Sequence, residues 1–168
     1  MIKAARAGGK VLSKYFGQTL VTSQKSMARD FRTKADLESE EAIIKVLEAA
    51  FPAYSIFSEE RGLIDKQSEY TFYIDPLDGT YNFVLGLPYF SVSIGLFKNK
   101  KAQMGVVYNP ILKNFYYAGR GQGAFLNGAP ISVSQEKTFA KATFSSASGW
   151  NIGHTYHAAL YNEFYKNN

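Results

Sequence analysis

The sequence contains no cysteine, which excludes disulfides, thiolate metal sites and a cysteine nucleophile. No apolar run approaches the roughly 20 residues that a membrane-spanning helix needs. The opening residues interleave Lys3, Arg6, Gly8, Gly9 and Lys10 with the apolar positions, so they lack the continuous core of a signal peptide. These absences lead us to expect a cytoplasmic protein with no membrane partner. Acid is also missing from the start. Nothing acidic precedes Asp30, whereas Lys3, Arg6, Lys10, Lys14, Lys25 and Arg29 do, and beyond Asp78 only Glu136 and Glu163 remain. The net charge of +5 therefore hides a basic flank and an acidic middle. A basic flank serves nucleic acid, an anionic substrate or simply a solvated helix face. The crowding of acids between Asp30 and Asp78 marks where a cation could be held.

What is present is the composition of a globular protein. Over 168 residues, 46% are hydrophobic and 20% charged, enough for one domain with a core or for part of a larger one. Ala4 to Phe16 reads as a helix, weakened by Gly8-Gly9. Thr33-Lys34-Ala35-Asp36 has the spacing of a capping box, and Ala42, Ile43, Val46, Leu47 and Ala50 follow at helical intervals until Pro52. Tyr54 to Ser58 and Tyr70 to Ile74 are short, aromatic and β-branched, as strands are. From Phe90 onwards the pattern is that of a meander, with passes at 90–97, 102–108 and 114–118. Asn127-Gly128 marks a hairpin just after Gly123 to Leu126. A further strand is expected at 142–146 and a last amphipathic helix at 154–165. Helices followed by a largely antiparallel sheet predict an α+β layered sandwich. We expect a first domain over 1–140 and the start of a second, incomplete subdomain over 141–168.

The residues that carry chemistry centre on Asp75-Pro76-Leu77-Asp78-Gly79-Thr80-Tyr81-Asn82-Phe83. An apolar strand delivers Asp75, Pro76 is expected to force a turn, and Asp78 follows on the same short loop. Carboxylates this close repel each other unless a proton or a cation lies between them. Hard divalent ions such as Mg2+ take carboxylate and carbonyl oxygens, which Asp75, Asp78 and the Leu77 carbonyl offer. Gly79 permits close backbone approach, and Gly79 and Thr80 can open a helix whose amides face an anion. The same residues also make an ordinary turn. Two other segments bear on the choice. Glu59 and Glu60 follow a predicted strand, where one points inward and the other outward. Asp30, Thr33 and Asp36 stand at a helix entrance.

Taken together these segments resemble the inositol monophosphatase-like metal-dependent phosphatases. Asp75 to Phe83 is similar to that family's Asp-Pro-(Ile/Leu)-Asp-Gly-Thr-x-Asn-Phe signature. Asp30, Thr33 and Asp36 match its Asp-x-x-Thr-x-x-Asp, Glu59 and Glu60 its paired acids, and 121–134 its Gly-rich hairpin. The resemblance implies the layered fold of inositol and sugar phosphatases, a homodimer for the complete protein, and Mg2+-dependent hydrolysis of a small phosphate monoester, above all inositol monophosphate. It implies metal ligation by Glu59, Asp75, the Leu77 carbonyl and Asp78. Catalysis would fall to Thr80, assisted by Asp30 in activating the attacking water, and to Glu59, which also contributes to a weaker third metal ion. Substrate binding would involve Glu59, Leu77, Asp78, Gly79 and Thr80, with the Gly79 and Thr80 amides holding the phosphate and Asp78 touching a substrate hydroxyl. The family's later Trp-Asp-x-Ala-Ala-Gly-like motif has no counterpart here, and Arg32 stands where the family usually has a small apolar residue. The chain thus resembles the first two-thirds of a family member, a C-terminally truncated one, whose activity alone is expected to be low. Two alternatives stay open: a non-catalytic remnant of the fold, and a nucleic-acid- or transcription-associated binding protein, as some bacterial relatives are.

Overall fold

The computed structural model describes residues 1–18, 22–24 and 31–138, with the side chains of 22–24 and 31 left aside. The chain separates into two units, Met1–Ile131 and Ser132–Asn168. The expected strand at 142–146 and helix at 154–165 lie outside the described residues, as does Asp30.

Within the first unit two helices open the chain. Helix α1 spans Ile2–Tyr15 and α2 spans Lys34–Ala50. The Gly8-Gly9 pair that weakens the sequence pattern has a packing cause. A Cβ on Gly8 would lie 2.7 Å from Ile43 Cδ1, and one on Gly9 would lie 2.5 Å from the Tyr108 ring. The helix thus gives up about 1 kcal/mol of propensity per glycine to let α1 meet α2 and the sheet at close range. A two-stranded antiparallel ribbon, β1 (Thr22–Gln24) with β2 (Phe31–Thr33), leads into α2. There Thr33 caps the helix as its spacing predicts. Its hydroxyl accepts from Ala35 N at 3.1 Å, and its own N–H donates to Asp36 Oδ2 at 2.8 Å.

The remaining strands are β3 (Ser55–Ser58), β4 (Gly62–Ile64), β5 (Tyr70–Asp78), β6 (Ser91–Lys98), β7 (Lys101–Asn109), β8 (Asn114–Gly119), β9 (Gly123–Leu126) and β10 (Ala129–Ile131). They form one sheet in the order β10-β9-β8-β7-β6-β5-β3-β4, antiparallel except for the β3–β5 pair. The hairpin at Asn127-Gly128 forms as its sequence demands, both residues taking positive φ (50° and 90°) between the paired Leu126 and Ala129. The ribbon and β4 carry no clear sequence pattern at three residues each.

Alternation along the strands divides the sheet's two faces. Phe72, Ile74, Val92 and Ile94 are buried with Leu12, Tyr15, Ile43 and Leu47 of the helices, each large side chain contributing about 1.5–3 kcal/mol. The intervening Phe57, Tyr73, Val107 and Tyr116 stand partly exposed on the opposite face. One expectation needs correction. Pro76 does not turn the chain. The strand β5 continues through it to Asp78 by means of a bulge, in which Pro76 and Leu77, between the paired Asp75 and Asp78, stand opposite the single Val92 between Ser93 and Ser91. A bulge leaves one residue out of the ladder, which is where a residue without an N–H is tolerated. Short helix α3 (Thr80–Val84) follows directly, held by Phe83 and Phe90 against Phe16 of the α1 end.

Candidate metal- and phosphate-binding site

The bulge sets the geometry of the acidic loop. It advances Asp78 by one residue relative to the ladder, so that both aspartates arise from one distorted turn of strand. The Asp75 carboxylate accepts from Leu77 N at 3.1 Å, which keeps the bulge closed. On the neighbouring parallel strand, β3 ends in Ser58, and Glu59 N donates to Ile74 O at 3.1 Å. That bond continues the parallel pairing by one residue and brings Glu59 beside Asp75.

The three acids act on one another. Burial, then the negative charges of Glu59 and Asp78, push the Asp75 carboxyl up to about 8. A hydrogen bond between the Asp75 and Glu59 carboxyls adds to this, and it requires a proton on one of them. Asp78 is raised too, by burial and then by Glu59. Among the described residues, however, no three acidic or imidazole side chains converge as a ready-made metal cage. The two observations are compatible. The Asp75 and Glu59 carboxyls already meet and Asp78 acts on both through its charge, so the three share a site without forming a closed cage. The donor set, three carboxylates and a main-chain carbonyl with neither sulfur nor imidazole, fits a hard divalent ion such as Mg2+.

Thr80 lies at the start of α3, after Gly79 in the left-handed conformation (φ 88°). A Cβ on Gly79 would come 2.9 Å from the Tyr89 carbonyl oxygen, so both conformation and space favour glycine there. The Thr80 hydroxyl reaches Leu77 O at 2.9 Å and Asp36 Oδ1 at 3.2 Å. It has one proton for two acceptors, and its lone pairs stay available to a water. The acidic partner seen beside Thr80 is thus Asp36, whose capping role is plain in the sequence and whose contact with Thr80 is not. The expected helper Asp30 lies outside the described residues.

Glu59 and Glu60 diverge as adjacent strand-end residues should. Glu59 is exposed, while the Glu60 side chain is only 1% exposed and faces Arg32 Nη1 at 3.6 Å. That ion pair gives Arg32, an outlier against the family pattern, a structural role. An open pocket of about 460 Å3 adjoins the acids on the outer face of the sheet. Glu59 and Asp75 line it together with an aromatic row, Phe57 against Tyr73 (5.6 Å between ring centres) and Tyr73 against Phe97 (4.8 Å). Asp78, Gly79 and Thr80 are not part of its lining.

Comparison with known proteins decides the kinship. The profile of the inositol monophosphatase family matches residues 1–164. The chain belongs to the inositol monophosphatase family. It is 39% identical to inositol monophosphatase 3 of Solanum lycopersicum over 89% of this chain and 57% of that relative. It is 42% identical to the Nus factor SuhB of Pasteurella multocida over 83% of this chain and 53% of that one. Among solved structures, the extragenic suppressor protein suhB from Bartonella henselae superposes with a TM-score of 0.77 at 39% identity, covering 81% of this chain and 54% of that one. These family members share the α+β layered fold described above. The chain spans about half the length of the curated relatives it matches.

Proposed function

We propose that this chain provides the metal- and phosphate-binding part of a Mg2+-dependent hydrolysis of a small phosphate monoester, with inositol monophosphate as the leading substrate. The observation that carries the reading is the Asp75 carboxyl, held between Glu59 and Asp78 at the end of a bulged strand and raised to about 8. Glu59, Asp75, Asp78 and the Leu77 carbonyl would hold the metal. When bound, Mg2+ supplies charge neutralisation and makes water more acidic. The rest falls to the chain itself. Thr80 directs its hydroxyl proton towards Leu77 O or Asp36, which leaves its oxygen to accept from and orient the attacking water. The amides of Gly79 and Thr80 are assigned to the phosphate by the family resemblance, α3 contributing little more than a single turn. Asp30 keeps its assisting role on the same ground.

The deciding measurement is a calorimetric titration of the chain with Mg2+, followed by inositol monophosphate hydrolysis with and without the ion. We expect saturable, weak Mg2+ binding and slow phosphate release that requires the ion. A chain that binds no Mg2+ under any condition in which it is folded would overturn the reading.

A second reading draws on relatives named Nus factor SuhB, at 42% and 41% identity, and on the exposed Lys3, Arg6 and Lys10 of α1. In that reading the basic flank contacts nucleic acid. Binding whose logarithm falls steeply with the logarithm of salt concentration would favour it, because neutralised phosphates release counterions.

A further inference from the structure

The buried side of α2 changes character along its length. Asp36, then Ser39 and Glu40 three and four residues on, then Ile43 and Leu47, recur with helical spacing and share a face. All five are essentially inaccessible, Glu40 at 0% and Asp36 at 2%. Ile43 and Leu47 meet the core. The polar part meets the segments that bear the candidate ligands. Glu40 Oε1 accepts from the Ser58 hydroxyl and from Arg61 N (3.0 Å), so it holds the chain on either side of Glu59. Ser39 Oγ donates to Pro76 O at 2.9 Å, inside the bulge between Asp75 and Leu77. Asp36 Oδ1 takes the Thr80 hydroxyl at 3.2 Å.

Fold stability alone does not call for such a stripe. A fully buried carboxylate costs several kcal/mol of desolvation, and well-packed apolar residues in its place are often neutral or stabilising. At Glu40 the compensation is incomplete. Arg61 Nε lies 3.1 Å from Oε2 as a charge contact, but off the line of a hydrogen bond, so Oε2 accepts none. Arg61 is itself half exposed, which weakens the charge contact. What the stripe does deliver is relative position. One rigid helix fixes the Glu59 loop, the Asp75–Asp78 bulge and the first residue of α3 against one another.

We infer that Ser39 and Glu40 are positioning residues for the metal site, α2 acting as the template that sets the spacing of Glu59 and the Asp75–Asp78 bulge. The inference rests on the metal-binding reading above and adds residues that touch neither metal nor substrate. Partners standing behind metal ligands typically change metal affinity by about 10- to 100-fold when removed.

The test uses the full chain, with Glu40→Gln and Ser39→Ala as variants and Asp75→Asn as the control. Mg2+ affinity is read by calorimetry, and folding by thermal melting without the ion. We expect Glu40→Gln and Ser39→Ala each to weaken Mg2+ binding by about 10-fold, out of proportion to any change in melting temperature. Should Glu40→Gln fail to fold, Ser39→Ala decides alone, since it removes one hydroxyl and no charge. Folded variants that keep Mg2+ affinity within about twofold of wild type, while Asp75→Asn loses it, overturn the template and leave the metal site standing. A wild-type chain that binds no Mg2+ overturns both.

Discussion

Two groups of carboxylates lie on either side of the same short loops, and they differ in what surrounds them. Asp36 is buried and its carboxyl is raised by that burial, but hydrogen bonds from Thr33 and Thr80 pull the other way. Its oxygens accept from Thr33 N, Thr33 Oγ1 and Thr80 Oγ1. Glu40, equally buried, faces Ser58, Arg61 N and the Arg61 guanidinium. Asp75 meets the opposite condition. Beyond burial, its largest neighbours are Glu59 and Asp78, two further negative groups. The lesson concerns how to recognise a cation site. Burial by itself raises a carboxyl whether the group is structural or chemical. A carboxylate facing donors is wholly satisfied at Asp36 and satisfied through one oxygen at Glu40, whereas one facing other carboxylates is satisfied only by a proton or a cation.

The comparison breaks most visibly at Asp75. Asp75→Asn removes a direct ligand, and we expect Mg2+ affinity to fall by about 100-fold or more, beyond the range seen for residues standing behind ligands. Without Mg2+ the same variant should be more stable than wild type near pH 7, by on the order of 2 kcal/mol, because an amide is neutral in both states and spares the folded chain the cost of keeping a carboxyl protonated. A variant that lost both stability and Mg2+ binding would place Asp75 with the structural acids. Urea melts with and without Mg2+ separate the outcomes.

The next effect is on pH dependence. An aspartate of ordinary value 3.8 that holds its proton up to about 8 in the folded chain binds more protons folded than unfolded across that interval. Below 3.8 both states are protonated and the stability is fully present. As pH rises towards about 8 the unfolded chain releases the proton that the folded chain keeps, so stability falls through that window and levels off above it. Asp78, raised as well, bends the curve the same way. In a chelator the urea midpoint should therefore drop from pH 5 to pH 8. Saturating Mg2+ should flatten the curve, since the ion takes the place of the proton. A midpoint independent of pH in chelator would contradict the crowding of these acids.

Much of this was legible in the residues, and the exceptions have physical causes. The block from Asp75 to Phe83 taken alone also reads as an ordinary turn, and it is the family signature it matches, together with the acids at 30–36 and 59–60, that tips the reading towards a site. The capping box at Thr33 and Asp36 and the turn at Asn127-Gly128 are local, so spacing alone reveals them. Glu40 was not legible. A glutamate in an amphipathic helix reads as solvated, and only the arrival of Ser58 and Arg61 from another strand end makes it a buried acceptor. The path of β5 through Pro76 was hidden for a similar reason. Proline argues for a turn, and the bulge that accommodates it exists only in the pairing with β6. The contact between Asp36 and Thr80 joins residues 44 apart in the chain, beyond the reach of any local pattern.

The smallest effect sharpens the structural side of the comparison. Thr33→Ala removes the hydroxyl that accepts from Ala35 N at 3.1 Å and donates to Asp36 Oδ2 at 2.6 Å. One orphan amide of the α2 first turn loses its acceptor, and one acceptor site of a buried carboxylate loses its donor. Asp36 Oδ2 still accepts from the main-chain N–H of residue 33, which alanine retains. The loss should then stay near that of an ordinary N-cap, about 1–2 kcal/mol, and not reach the cost of an unsatisfied buried charge. Because Thr33 touches none of the candidate ligands, Mg2+ affinity of the folded variant should remain within about twofold of wild type, well short of the losses seen when partners of ligands are removed. Thr33→Ser, which keeps the hydroxyl, should recover most of the stability. Thermal melts paired with Mg2+ titrations measure both quantities on the same samples. A Thr33→Ala chain of near-normal stability but weakened Mg2+ binding would show that the capping end of α2 belongs to the metal site itself, and the division between the two groups of acids would have to be redrawn at Asp36.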